Sequence, residues 1–296
     1  MHRWGIDLGG TKIEGAILDA DSLSRTSLRL RLPTEAARGY EHILGQISRL
    51  VGMLEAESGE KRPPCIGIGT PGATEPTTGG LKNSNTTCLN GRSLKDDLRS
   101  RLGTEVRLAN DANCFALAEA SLGVAVGAPV VVGLILGTGV GSGIVVNGRV
   151  LDGLHGIAGE WGHNPLCGEQ TPCYCGRKGC IETVISGPSL ERYYRSLGGA
   201  QLRLPEIAQA PDDPHAAATL DRLRKKFGEA IGAVTNILDP DAIVIGGGVG
   251  NLDLLYADET REAILAHTFN GELRTRLLRP ALGDSAGVFG AAMLTV

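Results

Sequence analysis

A chain of 296 residues, 42% hydrophobic and 21% charged, has material for about two globular domains with substantial cores. Its net charge of −4, with no basic block, makes nucleic acid an unexpected partner. The N-terminus MHRWGIDLGG has no signal-peptide apolar region, and the uncharged stretch 120–148 is broken by glycines and Pro129, so no membrane span and a cytoplasmic location are expected.

The opening of the chain predicts a β-hairpin. Ile6 and Leu8 lead into Gly9-Gly10-Thr11, and Ile13, Ala16 and Ile17 return. Tyr40, Ile43, Leu44, Ile47, Leu50, Val51 and Leu54 then fall on one helical face. PCIGIGTPG reads as a buried strand ending in a turn. EVRLANDANCFALAEA reads as a strand, the pair Asn110-Asp111, and a helix starting near Ala112. Val130 to Leu136, the turn Gly137-Thr138-Gly139, and Ile144 to Val146 repeat the opening hairpin, which points to an internal duplication. A cysteine-rich loop follows. Leu220, Leu223, Phe227, Ile231 and Val234 mark a long amphipathic helix, and DPDAIVIGGGVG is a strand running into glycines at a helix start.

This order, β-rich then α, β, α, and the same again, predicts an α/β protein whose two similar domains face each other across a cleft. The first domain is expected over 1–113, joined by a C-terminal helix 284–296. The second is expected over 114–283, carrying a zinc loop at 160–182.

The turns DLGGTK and GTGVGSG each present several backbone N–H groups, a nest suited to phosphate oxygens. Gly9, Gly10, Thr11, Lys12, Gly137, Thr138, Gly139 and Gly141 are the candidates, with Gly247 and Gly248 of IGGGVG as a third glycine site. Neither turn is a Walker loop. Asp7, just before the first turn, is a natural holder of hydrated Mg²⁺ or a turn-forming aspartate. Asn110 and Asp111 are helix-capping types, but they stand at a strand's C-terminal end, where a carboxylate can take a proton from an attacking hydroxyl. Cys173, Cys175 and Cys180 in CYCGRKGC, with His163 upstream, make a closed Cys₃His set of the structural-zinc kind, and Cys167 is a spare candidate. In a reducing cytosol, clustered cysteines favour metal over disulfide. Glu160 and Glu182 flank this loop, either as solvated charges or as acceptors for hydroxyl groups.

IDLGGTK, GTGVGSG, EWGH, C-x-C-G-x-x-G-C-I-E and DPDAIVIGGG, in this order over nearly the whole chain, resemble the ROK family of sugar kinases and repressors. The resemblance implies an actin/hexokinase-like (ribonuclease H-like) fold with duplicated βββαβα units and a cleft closing over ATP and sugar. It implies Asp111 as catalytic base, and sugar contacts from Asn85, Asn110, Glu160, His163 and Glu182. It implies ATP phosphates at the two glycine turns, the nucleoside near Gly247 and Gly248, and structural zinc on His163, Cys173, Cys175 and Cys180. KNSNTTCLNG, EWGHNPL and PCYCGRKGCIET look most like bacterial fructokinases that also accept mannose, while N-acetylglucosamine kinases share the zinc motif and NDANCFAL. The expected activity is therefore an ATP- and Mg²⁺-dependent hexose kinase of the fructokinase type, with N-acetylhexosamine kinase as the alternative. A repressor needs a helix-turn-helix, for which a phosphate loop beginning at Asp7 leaves no room. A homodimer is admitted as the assembly.

Overall fold

The computed structural model describes residues 2–19, 26–210 and 212–296. β1 (Arg3–Leu8) and β2 (Lys12–Leu18) form the expected antiparallel hairpin, with Leu8 opposite Ile13. β3 (Thr26–Pro33) pairs antiparallel with β2. α1 (Tyr40–Ser58) buries the apolar face running from Tyr40 to Leu54 and ends at Gly59, whose φ of 70° closes the helix in the left-handed region. β4 (Cys65–Thr70) runs parallel to β1. The short pair β5 (Ala73–Thr74) and β6 (Leu81–Lys82) precedes α2 (Leu94–Leu102) and β7 (Glu105–Asn110), which pairs parallel with β4 and feeds α3 (Asp111–Ser121). The sheet order is β3-β2-β1-β4-β7.

The strand glycines have a packing reason. A Cβ on Gly5 would come within 2.6 Å of the Ala292 amide nitrogen, and one on Gly67 would overlap the Ala291 carbonyl. The C-terminal helix Ala286–Met293 can therefore lie directly on the sheet backbone. Gly290 of that helix approaches the Cys114 carbonyl of α3 in the same way. This contact places α3 in the first compact unit, which comprises Met1–Gly127, Gly148–Ala158 and Ala281–Val296. The sequence reading divides the chain at 113/114, inside α3, because no local signal reports the packing of α3 on a helix from the far end of the chain.

The second unit comprises Ala128–Asn147 and Gly159–Pro280. β8 (Val130–Leu136) and β9 (Val140–Val146) form its antiparallel hairpin. The chain then passes through β10 (Arg149–Val150) of the first unit and returns. α4 (Glu182–Ile185), α5 (Gly187–Ser196), α6 (Leu204–Ala208) and α7 (Pro214–Leu238) lead to β11 (Ala242–Gly246), α8 (Gly247–Gly250), α9 (Asp258–Leu265) and β12 (Arg276–Leu278). β8 pairs parallel with β11, and β11 parallel with β12. Both units thus set an antiparallel hairpin beside parallel strands, as a duplication requires. Leu223, Phe227 and Ile231 of α7 pack with Leu134, Leu136, Ile243 and Ile245 in the second core. No helix among the described residues is long and apolar enough to cross a membrane.

Candidate active site and metal centre

In the first unit, the residues singled out in the sequence collect at the C-terminal ends of β1 and β7. Asp7 is half-buried and opposite Glu14 of β2. Burial first, then the charges of Asp111 and Glu14, push its pKa up to about 6 against the opposing pull of Lys12. Glu14 is itself buried, and its carboxylate meets Arg29, Arg31 at 2.7 Å and Lys12 at 3.6 Å. The turn after Asp7 is braced from outside. Gly9 N–H donates to the Lys12 carbonyl at 2.9 Å, while buried Thr34 donates its hydroxyl to the Gly9 carbonyl at 2.6 Å and its N–H to the Thr11 carbonyl at 2.9 Å.

The loop carrying Asn85 lies against that turn, with Thr86 Oγ1 3.8 Å from where a Cβ on Gly10 would stand. Asn85 is exposed between buried Ser84 and Thr86. Asn90 shapes the loop: its side-chain oxygen accepts from Ser84 N–H at 2.9 Å and its amide group donates to the Ser84 carbonyl at 3.0 Å.

Asn110 caps α3, its Oδ1 accepting from Asn113 N–H at 2.7 Å. One lone pair of its amide oxygen is therefore committed to the helix, which leaves the NH₂ and the second lone pair for other partners. Asp111 opens the helix, with Oδ1 accepting from Ala112 N–H at 2.9 Å. Its side chain keeps solvent access, yet the protein crowding the carboxylate raises its pKa, opposed by the backbone N–H groups of Ala112 and Asp111 itself.

In the second unit, Gly137, Thr138 and Gly139 form the turn, with Gly137 N–H donating to the Gly139 carbonyl at 2.9 Å. Gly141 is not part of it; it sits inside β9, paired with Ile135. The structure ties this turn to the flank of the cysteine loop. Glu182 Oε2 accepts from Val140 N–H at 3.0 Å, and Gly187 N–H donates to the Gly137 carbonyl at 2.9 Å. Glu182 is thus neither a free surface charge nor a wholly available acceptor, since one of its oxygens is engaged by the turn. Gly247 and Gly248 differ. A Cβ on Gly247 would overlap the Leu136 backbone, whereas Gly248 has open space.

Glu160 and His163 lie on a 3-10 helix, Glu160–His163. The buried Trp161 fixes it by donating its indole N–H to the Ala230 carbonyl of α7 at 3.2 Å. The cysteine loop folds back through Cys173 N–H to the Arg177 carbonyl at 2.8 Å, with Gly176 at φ 86° and Gly179 at φ 71° supplying left-handed turns. The ligand atoms of His163, Cys173, Cys175 and Cys180 all lie within 4.8 Å of one another, and Cys167 is outside the group.

The spacing fits zinc. Zn–S of ~2.3 Å and Zn–N of ~2.0–2.1 Å in a tetrahedron put ligand atoms roughly 3.6–3.8 Å apart. Cys173 Sγ is 3.6 Å from His163 Nδ1, and Cys175 Sγ is 3.6 Å from Cys180 Sγ. All seven cysteines are free thiols. The two ring nitrogens of His163 have separate surroundings: Nδ1 faces Cys173, and Nε2 is 3.0 Å from the Tyr174 hydroxyl. Burial, then the charges of Glu182, Cys173 and Glu160, push Tyr174 up to about 12, so the phenol stays protonated at neutral pH.

Sequence reasoning missed Thr34, Asn90 and Tyr174. Thr34 and Asn90 act on backbone groups distant or hidden in the sequence. Tyr174 was in view inside CYCG, but an aromatic between two cysteines carries no role until His163 is placed beside it.

Fold and donor set together define an α/β protein of actin/hexokinase-like order with a Cys₃His centre. The chain belongs to the ROK family, whose sequence profile matches residues 3–296. It is similar to the N-acetyl-D-glucosamine kinase of Aliivibrio salmonicida, 35% identical over 305 residues that cover 99% of each protein. Among solved structures, the ROK hexokinase from Thermus thermophilus superposes with a TM-score of 0.85 at 32% identity, covering 99% of this chain and 97% of that one. The ROK family glucokinase from Streptomyces griseus, in complex with glucose and AMPPNP, gives 0.76 at 28% identity, covering 99% of both. The fructokinase expectation gains no support from these relatives, whereas its alternative, N-acetylglucosamine kinase, does.

Proposed function

We propose that the protein is an ATP-dependent kinase of an N-acetylhexosamine, with N-acetyl-D-glucosamine as first choice. The observation that carries the chemistry is Asp111, a solvent-accessible carboxylate of raised pKa just after β7, whose charge also raises the pKa of Asp7 near the end of β1. The choice of sugar is supported by full-length similarity to a kinase of that name.

In this reading Asp111 accepts the proton of the sugar hydroxyl as its oxygen attacks the γ-phosphorus and the bond to ADP breaks. Gly9, Gly10, Thr11 and Lys12 hold phosphate oxygens, as do Gly137, Thr138 and Gly139, with Gly247 and Gly248 beside the nucleoside. Asp7 holds hydrated Mg²⁺, whose charge offsets that of the phosphates. Asn85, Asn110, Glu160, the remaining oxygen of Glu182 and His163, whose Nε2 passes from the Tyr174 hydroxyl to the sugar, bind sugar hydroxyls. His163 Nδ1, Cys173, Cys175 and Cys180 hold a structural zinc. Four protein ligands leave it no open position, so it fixes the loop and takes no part in the reaction.

Coupled ADP release with N-acetylglucosamine, N-acetylgalactosamine, glucose, mannose and fructose tests the reading. The expected result is the highest kcat/KM with an N-acetylated sugar. Preference for fructose overturns the substrate, and ADP release independent of sugar overturns the kinase.

A further inference from the structure

Tyr174 stands between two of the four candidate zinc ligands, yet 83% of it is exposed, so it contributes almost nothing to a core. What positions it is His163. The rings meet edge to face at 5.2 Å and 88°, and the hydroxyl lies 3.0 Å from Nε2, the imidazole nitrogen turned away from Cys173. Glu160 stands on the same 3-10 helix as His163, and Glu182 follows the ligand Cys180 by two residues. The phenol tip therefore touches a side chain assigned above to sugar, while most of the tyrosine remains exposed.

N-Acetylation replaces a sugar hydroxyl with a planar amide and a methyl group. Recognising it takes an apolar surface beside hydrogen-bonding groups, and a tyrosine offers both on one side chain. A plain hexose leaves the ring face unused. We propose that Tyr174 contacts the sugar and that its ring determines the preference for an N-acetylated hexose over the unsubstituted one. This rests on the sugar-kinase reading.

The test uses the full chain as wild type, Tyr174→Ala and Tyr174→Phe, with kcat/KM measured for N-acetylglucosamine and glucose at saturating ATP and zinc determined for each. Tyr174→Ala should lower the N-acetylglucosamine-to-glucose ratio by roughly tenfold or more, in the range of lost apolar pocket contacts. Tyr174→Phe keeps the ring and should keep the ratio, while the KM for both sugars rises. The KM for ATP and the zinc content should match wild type throughout. An unchanged ratio in Tyr174→Ala overturns the proposal with the kinase reading intact. Loss of zinc from either variant also overturns it, because Tyr174 would then be a structural part of the loop. A wild-type protein that phosphorylates neither sugar overturns the proposal and the N-acetylhexosamine reading together.

Discussion

Gly139 offers a test of how the glycine turn and the Glu182 carboxylate are joined. A Cβ on this glycine would stand 2.6 Å from Glu182 Oε2, the oxygen that accepts from Val140 N–H at 3.0 Å. Gly139→Ala must therefore displace the carboxylate. The atom in the way is the end of a flexible side chain, so the turn itself should survive and the protein should stay folded. The substitution removes a hydrogen bond to a charged group, worth about 1.5–3 kcal/mol. If Glu182 orients the sugar, that is roughly a 10- to 150-fold rise in the KM for sugar. Thr138→Val is the control: Thr138 is exposed at the tip of the turn, so its change should raise the KM for ATP and leave that for sugar nearly constant. The assay is steady-state ADP release with each substrate titrated at saturation of the other, alongside thermal melts. Unchanged sugar dependence in Gly139→Ala would refute the coupling of turn to carboxylate.

Asp111→Asn should lower kcat by ~10²- to 10⁴-fold while sugar binding, followed by calorimetry, is largely kept; near-normal kcat would reject Asp111 as base. Because its pKa is raised, the acid limb of kcat/KM should fall at a pH above the ordinary aspartate value of 3.8, and a limb at or below that value would contradict the role. Asp7 gives a prediction of opposite sign for stability and activity. Its folded-state pKa of about 6 exceeds the ordinary 3.8, so the folded chain binds the proton more tightly than the unfolded one. The charged form then costs stability above pH 6, up to about 3 kcal/mol, and the cost disappears as pH falls from 6 towards 4. Asp7→Asn should raise the Tm at pH 8, lose that advantage near pH 4 and weaken Mg²⁺-dependent turnover; a lower Tm at pH 8 would contradict it. Elemental analysis should find one zinc per chain, released on acidification as thiolates and imidazole protonate. Cys175→Ala should lose the zinc and weaken sugar binding while ATP binding changes little, and a zinc-free protein with full activity would remove the metal from the reading.

Several features were legible in the residues alone because their physics is local. The hairpin at Leu8 and Ile13, the α1 face from Tyr40 to Leu54, and the cap at Asn110 follow from periodicity and short-range hydrogen bonding. The Cys₃His set was legible too, since its members lie close in sequence and donor chemistry alone narrows the metal. Other features depend on approaches the sequence does not encode locally. Glu182 reaches Val140 across 42 residues, and only the folded turn shows that one carboxylate oxygen is already engaged. α3 belongs with the C-terminal helix because Gly290 lets two backbones meet, which moves the unit boundary from 113 to Gly127. Gly141 looks like its turn neighbours in GTGVGSG, but the ladder register puts it inside a strand. Residue type and spacing set which groups can form a strand, a cap or a ligand set; which of their atoms remain free for a substrate is decided by the long-range packing that brings partners to them.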